Sequence, residues 1–312
     1  MTIDPELDPF VKGLDVAWPQ SPITLPLDVW RERVETLAAA ARPPHAPGLI
    51  TASHRIPGSN GRTVELRVYT PDAAKPLPAL IYFHGGGWVV GSIDSHDIVT
   101  AALSAQTPAI VISVDYARAP EHPFPAAFED AATALKWVNA HAADLGIAPR
   151  AIAVGGDSAG ANLSAALSIH YRDHTARPAG QLLFYPCLDT DFLTASYIGE
   201  AEAPFLKAAE MRWFWDQYCP EPDMRRDPRA VPMRVTDAGG LPPALIIAAE
   251  HDPLREDAHR YAEKLEKAGS KVTLRPGRGL IHGFLRAAAL SAAVRAEYDA
   301  AASWLQGLRS TQ

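Results

Sequence analysis

Cysteine is nearly missing from this chain. Only Cys187 and Cys219 occur in 312 residues, which excludes a disulfide scaffold, and neither stands in a CxxC or other metal-ligand spacing. Two reduced thiols in a cytoplasmic protein are the expectation. Positive charge is also short. The 29 Lys and Arg against 36 Asp and Glu leave a formal net charge of −7, which argues against nucleic acid or an anionic membrane surface as the main partner. No apolar run reaches the roughly 18 residues needed to span a bilayer, so no membrane insertion is expected. The opening stretch MTIDPELDPFVKGLDVAWP has neither the basic start nor the apolar segment of a secretory signal. Internal repeats and low-complexity tracts are absent. So are G-x-x-x-x-G-K-[ST] and a clean G-x-G-x-x-G, the common phosphate-cradling patterns. What is left is the composition of a soluble globular protein, 47% hydrophobic and 21% charged, long enough for one large domain with insertions.

The chain divides near residue 48. Residues 1–48 are proline-rich at both ends around one helical stretch, LDVWRERVETLAAAAR. There Val29, Arg33 (by its stem), Leu37 and Ala41 recur at spacing four, with Trp30 and Val34 alongside. One helix cannot bury its own apolar face, so this segment is expected to pack on something else. From about residue 50, LITASHRI and TVELRVYT flank a turn containing Asn60-Gly61 and read as a hairpin. Short apolar strands then alternate with amphipathic helices to the end. The alternation predicts an α/β fold: a mostly parallel eight-stranded sheet with helices on both faces and an antiparallel pair at its start.

Sites in such sheets lie beyond the C-terminal ends of the strands. The segments standing there are HGGGWVVGS (84–92), DYARAPEHPFP after the fourth strand, GGDSAG after the fifth, EHDPLRED after the seventh and GRGLIHGF after the eighth. Gly156-Asp157-Ser158-Ala159-Gly160 matches G-x-S-x-G between a strand and a helix, the context that makes its serine a nucleophile on a sharp turn. Standing alone, the pentapeptide also suits, less well, an inert small-residue turn with an incidental serine. A serine needs a base and the base an orienting acid. His282 is the natural base. Asp252 is the natural acid, and it also suits the start of the helix beginning near Leu254. The order Ser158, Asp252, His282 is the one α/β-hydrolases use. Three consecutive glycines after His84 serve close approach or unusual dihedrals, and Gly85, Gly86 and Ala159 are the expected N–H donors of an oxyanion hole. The pair His170 and His174 has the spacing of two ligands on a helix, but no H-E-x-x-H pattern surrounds it, and no metal or cofactor is expected.

Together these segments resemble the bacterial hormone-sensitive-lipase-like carboxylesterases (lipolytic family IV) of the α/β-hydrolase fold. The matching stretches are HGGGWVVGS, DYARAPEHPFPAAFED, GDSAG, EHDPLRED and HGF. The resemblance implies a serine carboxylic-ester hydrolase acting on short- to medium-chain acyl esters, with Ser158 as nucleophile, His282 as base and acid, and Asp252 as its partner. It also implies a helical cap made by residues 1–48 and an insertion at about 190–225, over a catalytic domain of residues 49–312. Homodimers are common in the family, and the implied partner is otherwise a small acyl ester. Met211, Trp215 and Tyr218 share one helical face with Phe214 beside them. Trp88, Asp157, Phe214 and Trp215 are the candidate pocket residues. The sequence departs from the family pattern at Ala161, at Ala117 and in the loop before His282. A non-catalytic receptor on the same fold, or an amidase with the same triad, are the alternatives. Turnover of an ester and its matched amide separates them.

Overall fold

A computed structural model describes residues 2–308 of the chain. One sheet carries the eight strands β1 (Ile50–Pro57), β2 (Thr63–Thr70), β3 (Leu77–Phe83), β4 (Ile110–Asp115), β5 (Ile147–Asp157), β6 (Gly180–Phe184), β7 (Ala244–Ile247) and β8 (Val272–Arg275). Their spatial order is β1-β2-β4-β3-β5-β6-β7-β8. The first two form the expected antiparallel hairpin, β2 runs antiparallel to β4, and all later pairings are parallel. Parallel strands need crossover helices. In chain order the helices are α1 (Asp8–Ala17), α2 (Leu27–Ala41), α3 (Asp97–Gln106), α4 (Ala126–Ala140), α5 (Ala142–Leu145), α6 (Ala159–His170), α7 (Ala195–Gly199), α8 (Ala208–Tyr218), α9 (Arg255–Lys267) and α10 (Ala292–Gly307).

Covering both faces explains the apolar runs. Every residue of β3, β6 and β7 is buried, as a strand between two helical layers requires. One layer joins the sheet to α4, α6 and α8, the other to α3 and α10. The α9 stripe of Leu254, Ala258, Tyr261, Ala262 and Leu265 is wholly buried. So is the α8 face of Met211, Phe214, Trp215 and Tyr218. Cys187 and Cys219 are buried free thiols.

The N-terminal segment departs from expectation twice. It holds a second helix, α1, as well as α2. The buried row of α2 is also shifted by one residue. Trp30 is 5% exposed and Ala38 9%, whereas Val29 and Leu37 are each 39% exposed. The Trp30 indole has more area to bury than either aliphatic side chain, and each aromatic pair adds about 0.5–1.5 kcal/mol beyond that area. The Trp30 ring docks 5.4 Å from both Trp213 and Phe214 of α8, and the row Trp30–Val34–Ala38 turns inward with it. The N-terminal segment and the 190–225 region therefore meet through aromatic rings.

Candidate active site

β5 ends at Asp157 and α6 begins at Ala159, so Ser158 alone makes the turn. It takes φ 53° and ψ −116°, a conformation that residues with a side chain avoid unless their surroundings enforce it. The enforcement is visible. The Ser158 N–H donates to the Phe184 carbonyl at 3.0 Å, and its carbonyl accepts from the Asn162 N–H at 3.1 Å. Bare backbone allows the turn to close: a Cβ on Gly156 or Gly160 would stand 2.1 or 1.8 Å from the Phe83 carbonyl oxygen.

Asp252 is fully buried after β7. Its Oδ2 accepts from His282 Nδ1–H at 2.7 Å, and its Oδ1 accepts from the Leu254 N–H at 2.9 Å. The helix-start and orienting roles thus coexist in one carboxylate. A parallel bridge between His251 and Ile281 joins the residue before Asp252 to the residue before His282, which sets the two loops in register. The His282 ring lies 4.6 Å from that of Tyr185, the neighbour of the Phe184 that holds Ser158. With Nδ1 committed to Asp252, Nε2 is the nitrogen able to take a proton from a serine.

The glycine loop corrects one expectation. The Gly85 N–H is not available to an oxyanion, because it donates to Asp157 Oδ1 at 2.9 Å. Among the described residues, the amides of Gly86, Gly87 and Ala159 make no such bond. Gly86 and Gly87 adopt φ 113° and 58°, and the Gly86 carbonyl accepts from both Val89 and Val90 N–H at 3.0 and 2.9 Å. The loop therefore turns back on itself with its amides facing out of the turn. In this loop the amides left free to donate are those of Gly86 and Gly87, one residue beyond the expected pair.

Asp157 is the second correction. Its carboxylate is engaged by the protein and does not line the pocket. Besides Gly85, it accepts from the Tyr82 hydroxyl at 2.6 Å and, more weakly, from the Tyr185 hydroxyl at 3.5 Å. Burial pushes its pKa up, but the His96 ring at 3.6 Å, the Tyr82 hydroxyl and the nearby Arg286 charge outweigh it and hold the carboxyl well below the usual range. Asp157 thus remains an anion beneath the loop. His84 stands next to it as a neutral ring, since burial pushes its basicity well down. Its Nδ1–H donates to the Gly85 carbonyl at 2.8 Å.

Sequence reasoning also missed what DYARAPEH does. The Tyr116 hydroxyl donates to the His84 carbonyl at 2.6 Å, and Arg118 donates to the Gly91 carbonyl at 2.6 Å. Both are side-chain grips on the glycine loop from a neighbouring strand end. The adjacency of β3 and β4 was the signal, and a lone tyrosine in a motif does not carry it. Among the pocket candidates, Phe214 packs against the loop itself: a Cβ on Gly87 would fall 2.2 Å from its ring. Trp88 and Trp215 are fully buried, with ring centroids 4.7 Å apart, and Trp88 stacks on Tyr218 at 4.2 Å. Among the described residues no group of three or more His, Cys, Asp or Glu is placed to hold a metal ion, and no helix is long and apolar enough to cross a membrane.

The sequence profile of a family with the alpha/beta hydrolase fold matches residues 80–286, the span that contains every strand-end segment above. The chain belongs to that family. Carboxylesterase NlhH of Mycobacterium tuberculosis is 39% identical over 90% of this chain and 89% of that protein. An ethyl acetate hydrolase of Pseudomonas putida is 38% identical over 73% of each. The crystal structure of a thermostable esterase from Pseudomonas putida superposes with a TM-score of 0.92 at 32% identity, covering 100% of this chain and 99% of that one. These likenesses place this α/β-hydrolase in the hormone-sensitive-lipase-like branch that its motifs resemble.

Proposed function

We propose that this α/β-hydrolase hydrolyses carboxylic esters of short to medium acyl chain through an acyl-enzyme. The observation that carries the reading is the strained Ser158 at a helix N-terminus, in a site where Asp252 fixes His282 through a 2.7 Å hydrogen bond. The Ser158 hydroxyl attacks the ester carbonyl carbon as His282 Nε2 takes its proton. The oxyanion that forms is met by the N–H groups of Gly86, Gly87 and Ala159 and by the positive end of α6. Collapse of that intermediate expels the alcohol, which takes the proton from His282. Water then attacks the acyl-enzyme with His282 as base, and the carboxylic acid leaves as Ser158 recovers its proton. Asp157 stabilises the loop by occupying Gly85, which leaves the next two amides for the substrate. The N-terminal segment and residues 190–225 form a cap, joined by the Trp30–Phe214 contact, with Phe214 as the pocket wall nearest the glycines. The relative named an ethyl acetate hydrolase supports the short-chain assignment.

Hydrolysis of a p-nitrophenyl ester series from acetate to palmitate tests both parts. Activity is expected to peak at short chains in the wild type. Ser158→Ala is expected to lose about 10⁴-fold or more in kcat with its melting temperature little changed. Full activity in that variant overturns the assignment, and a maximum at palmitate overturns the chain-length reading.

A further inference from the structure

Arg31 of α2 reaches out of the N-terminal segment to the segment that follows the oxyanion glycines. Its Nε donates to the Val89 carbonyl at 2.9 Å, and its Nη2 donates to the Ala119 carbonyl at 2.9 Å. Glu121 holds the guanidinium from the other side by two bonds, of 2.7 and 2.8 Å. This is the planar fork of arginine used at three places at once, which a lysine ammonium cannot reproduce. The pairing is tight enough that Arg31's hydrogen bonds pull the Glu121 carboxyl down to about 2, although Glu121 is half exposed.

The place Arg31 grips matters. Val89 follows Trp88, which sits at φ 60°, and the Val89 and Val90 amides are the ones that fold back onto the Gly86 carbonyl. One turn further along α2, Glu35 accepts from the Ser92 hydroxyl at 2.9 Å, and at the helix end Arg42 donates to the Asp94 carbonyl at 2.5 Å. The helix therefore runs beside the loop in step: residue 31 at 89, 35 at 92, 42 at 94. Trp30, which turns the helix inward, directly precedes the first of these polar contacts, and Ala38 stands between the last two.

We infer that Arg31 is a positioning residue for the oxyanion hole, so that the N-terminal segment sets the chemistry as well as enclosing the substrate. The inference rests on the esterase reading above and on Gly86 and Gly87 as donors. It turns the half-exposed ion pair with Glu121 into the outer arm of a clamp, with the two backbone carbonyls as its inner arms. A donor displaced by a fraction of an ångström loses most of its effect on a transition state while leaving ground-state binding nearly intact.

The test is steady-state hydrolysis of p-nitrophenyl butyrate by wild type, Arg31→Ala, Arg31→Lys and Glu121→Gln, with melting temperatures, and inhibition by a trifluoromethyl ketone against the product carboxylate. Arg31→Ala is expected to lower kcat about 10- to 100-fold at nearly constant KM and to weaken the ketone far more than the carboxylate. Arg31→Lys keeps the charge, and is expected to recover the melting temperature but only part of kcat. Glu121→Gln leaves both carbonyl contacts and is expected to cost less than either. Unchanged kcat in Arg31→Ala, or a raised KM at constant kcat, overturns the inference. Should Arg31→Ala fail to fold, Arg31→Lys decides, since full kcat in a folded lysine variant also overturns it. Ser158→Ala in the same assay separates the two levels: if it stays active the esterase reading itself falls, whatever Arg31 does.

Discussion

The two halves of the site are held by different means. Ser158, Asp252 and His282 stand beyond the C-terminal ends of the parallel strands β5, β7 and β8, and backbone geometry places them: a bond from the Ser158 N–H to the Phe184 carbonyl, and a bridge between His251 and Ile281 for the other two. The glycine loop belongs to no regular element. Side chains from elsewhere pin it, with Asp157 below Gly85, Tyr116 at His84, Arg118 at Gly91 and Arg31 at Val89. The proposed nucleophile, base and acid come with the sheet. The proposed oxyanion donors depend on four separate anchors, none of which is given a reacting role.

Breaking the backbone-placed half has the larger effect. Asp252→Asn keeps the Leu254 contact at Oδ1 and removes the charge that fixes the His282 tautomer. A kcat loss of about 10⁴-fold is expected, with little change in KM. A loss below tenfold would show that another group orients the ring. Next comes the side-chain-pinned half. Asp157→Ala frees the Gly85 amide and leaves the Tyr82 hydroxyl buried without an acceptor, each costing about 1–3 kcal/mol. Its kcat is expected to fall about 10- to 100-fold together with the melting temperature, whereas Asp157→Asn, still an acceptor, loses less of both. Equal losses in the two variants would mean that charge alone matters. Phe214→Ala, at the border of the halves, opens space beside Gly87. The expected signature is a stability loss of about 3 kcal/mol and a shift of the p-nitrophenyl optimum to longer chains. An unmoved optimum removes Phe214 from the pocket.

The smallest effect is a slope. Asp257, on α9, accepts from the Leu188 and Asp189 amides at 2.8 and 3.0 Å, but burial outweighs these bonds and pushes its pKa up to about 8. An unfolded chain releases that proton near the ordinary value of about 3.9. Between the two values the folded state binds the extra proton, so stability falls as pH rises and levels off above about 8. Asp257→Asn mimics the protonated acid and is expected to remove this component. Its melting temperature then changes less than the wild type's between about pH 5 and about pH 8. An identical slope in both proteins contradicts the assignment.

The same division explains what was legible in the sequence. Alternating apolar runs and amphipathic helices determine the sheet, and the sheet places the triad, so strand count, hairpin and Ser158–Asp252–His282 order all followed from local patterns. The anchors are long-range. The spacing of HGGG cannot reveal that an aspartate 72 positions on occupies the first glycine amide, and that single bond takes Gly85 out of the expected donors and leaves Gly86 and Gly87 as the proposed pair. Asp157 looked like a pocket residue because it adjoins the serine, but successive strand residues point to opposite faces. The α2 row slipped by one because a periodicity of aliphatic side chains was weighed against one tryptophan whose partners, Trp213 and Phe214, lie 183 and 184 residues away in the chain.

Gly156 and Gly160 put the end of β3 against the start of α6 through main-chain atoms alone. A seam of that kind has no side chain of its own to trim or repack, since a Cβ at either glycine collides with the Phe83 carbonyl. The spacing between Ser158 and the strand that leads into the glycine loop is thus set by main chain meeting main chain. A side chain at either position is expected to wedge that gap open and so move Ser158 away from the loop.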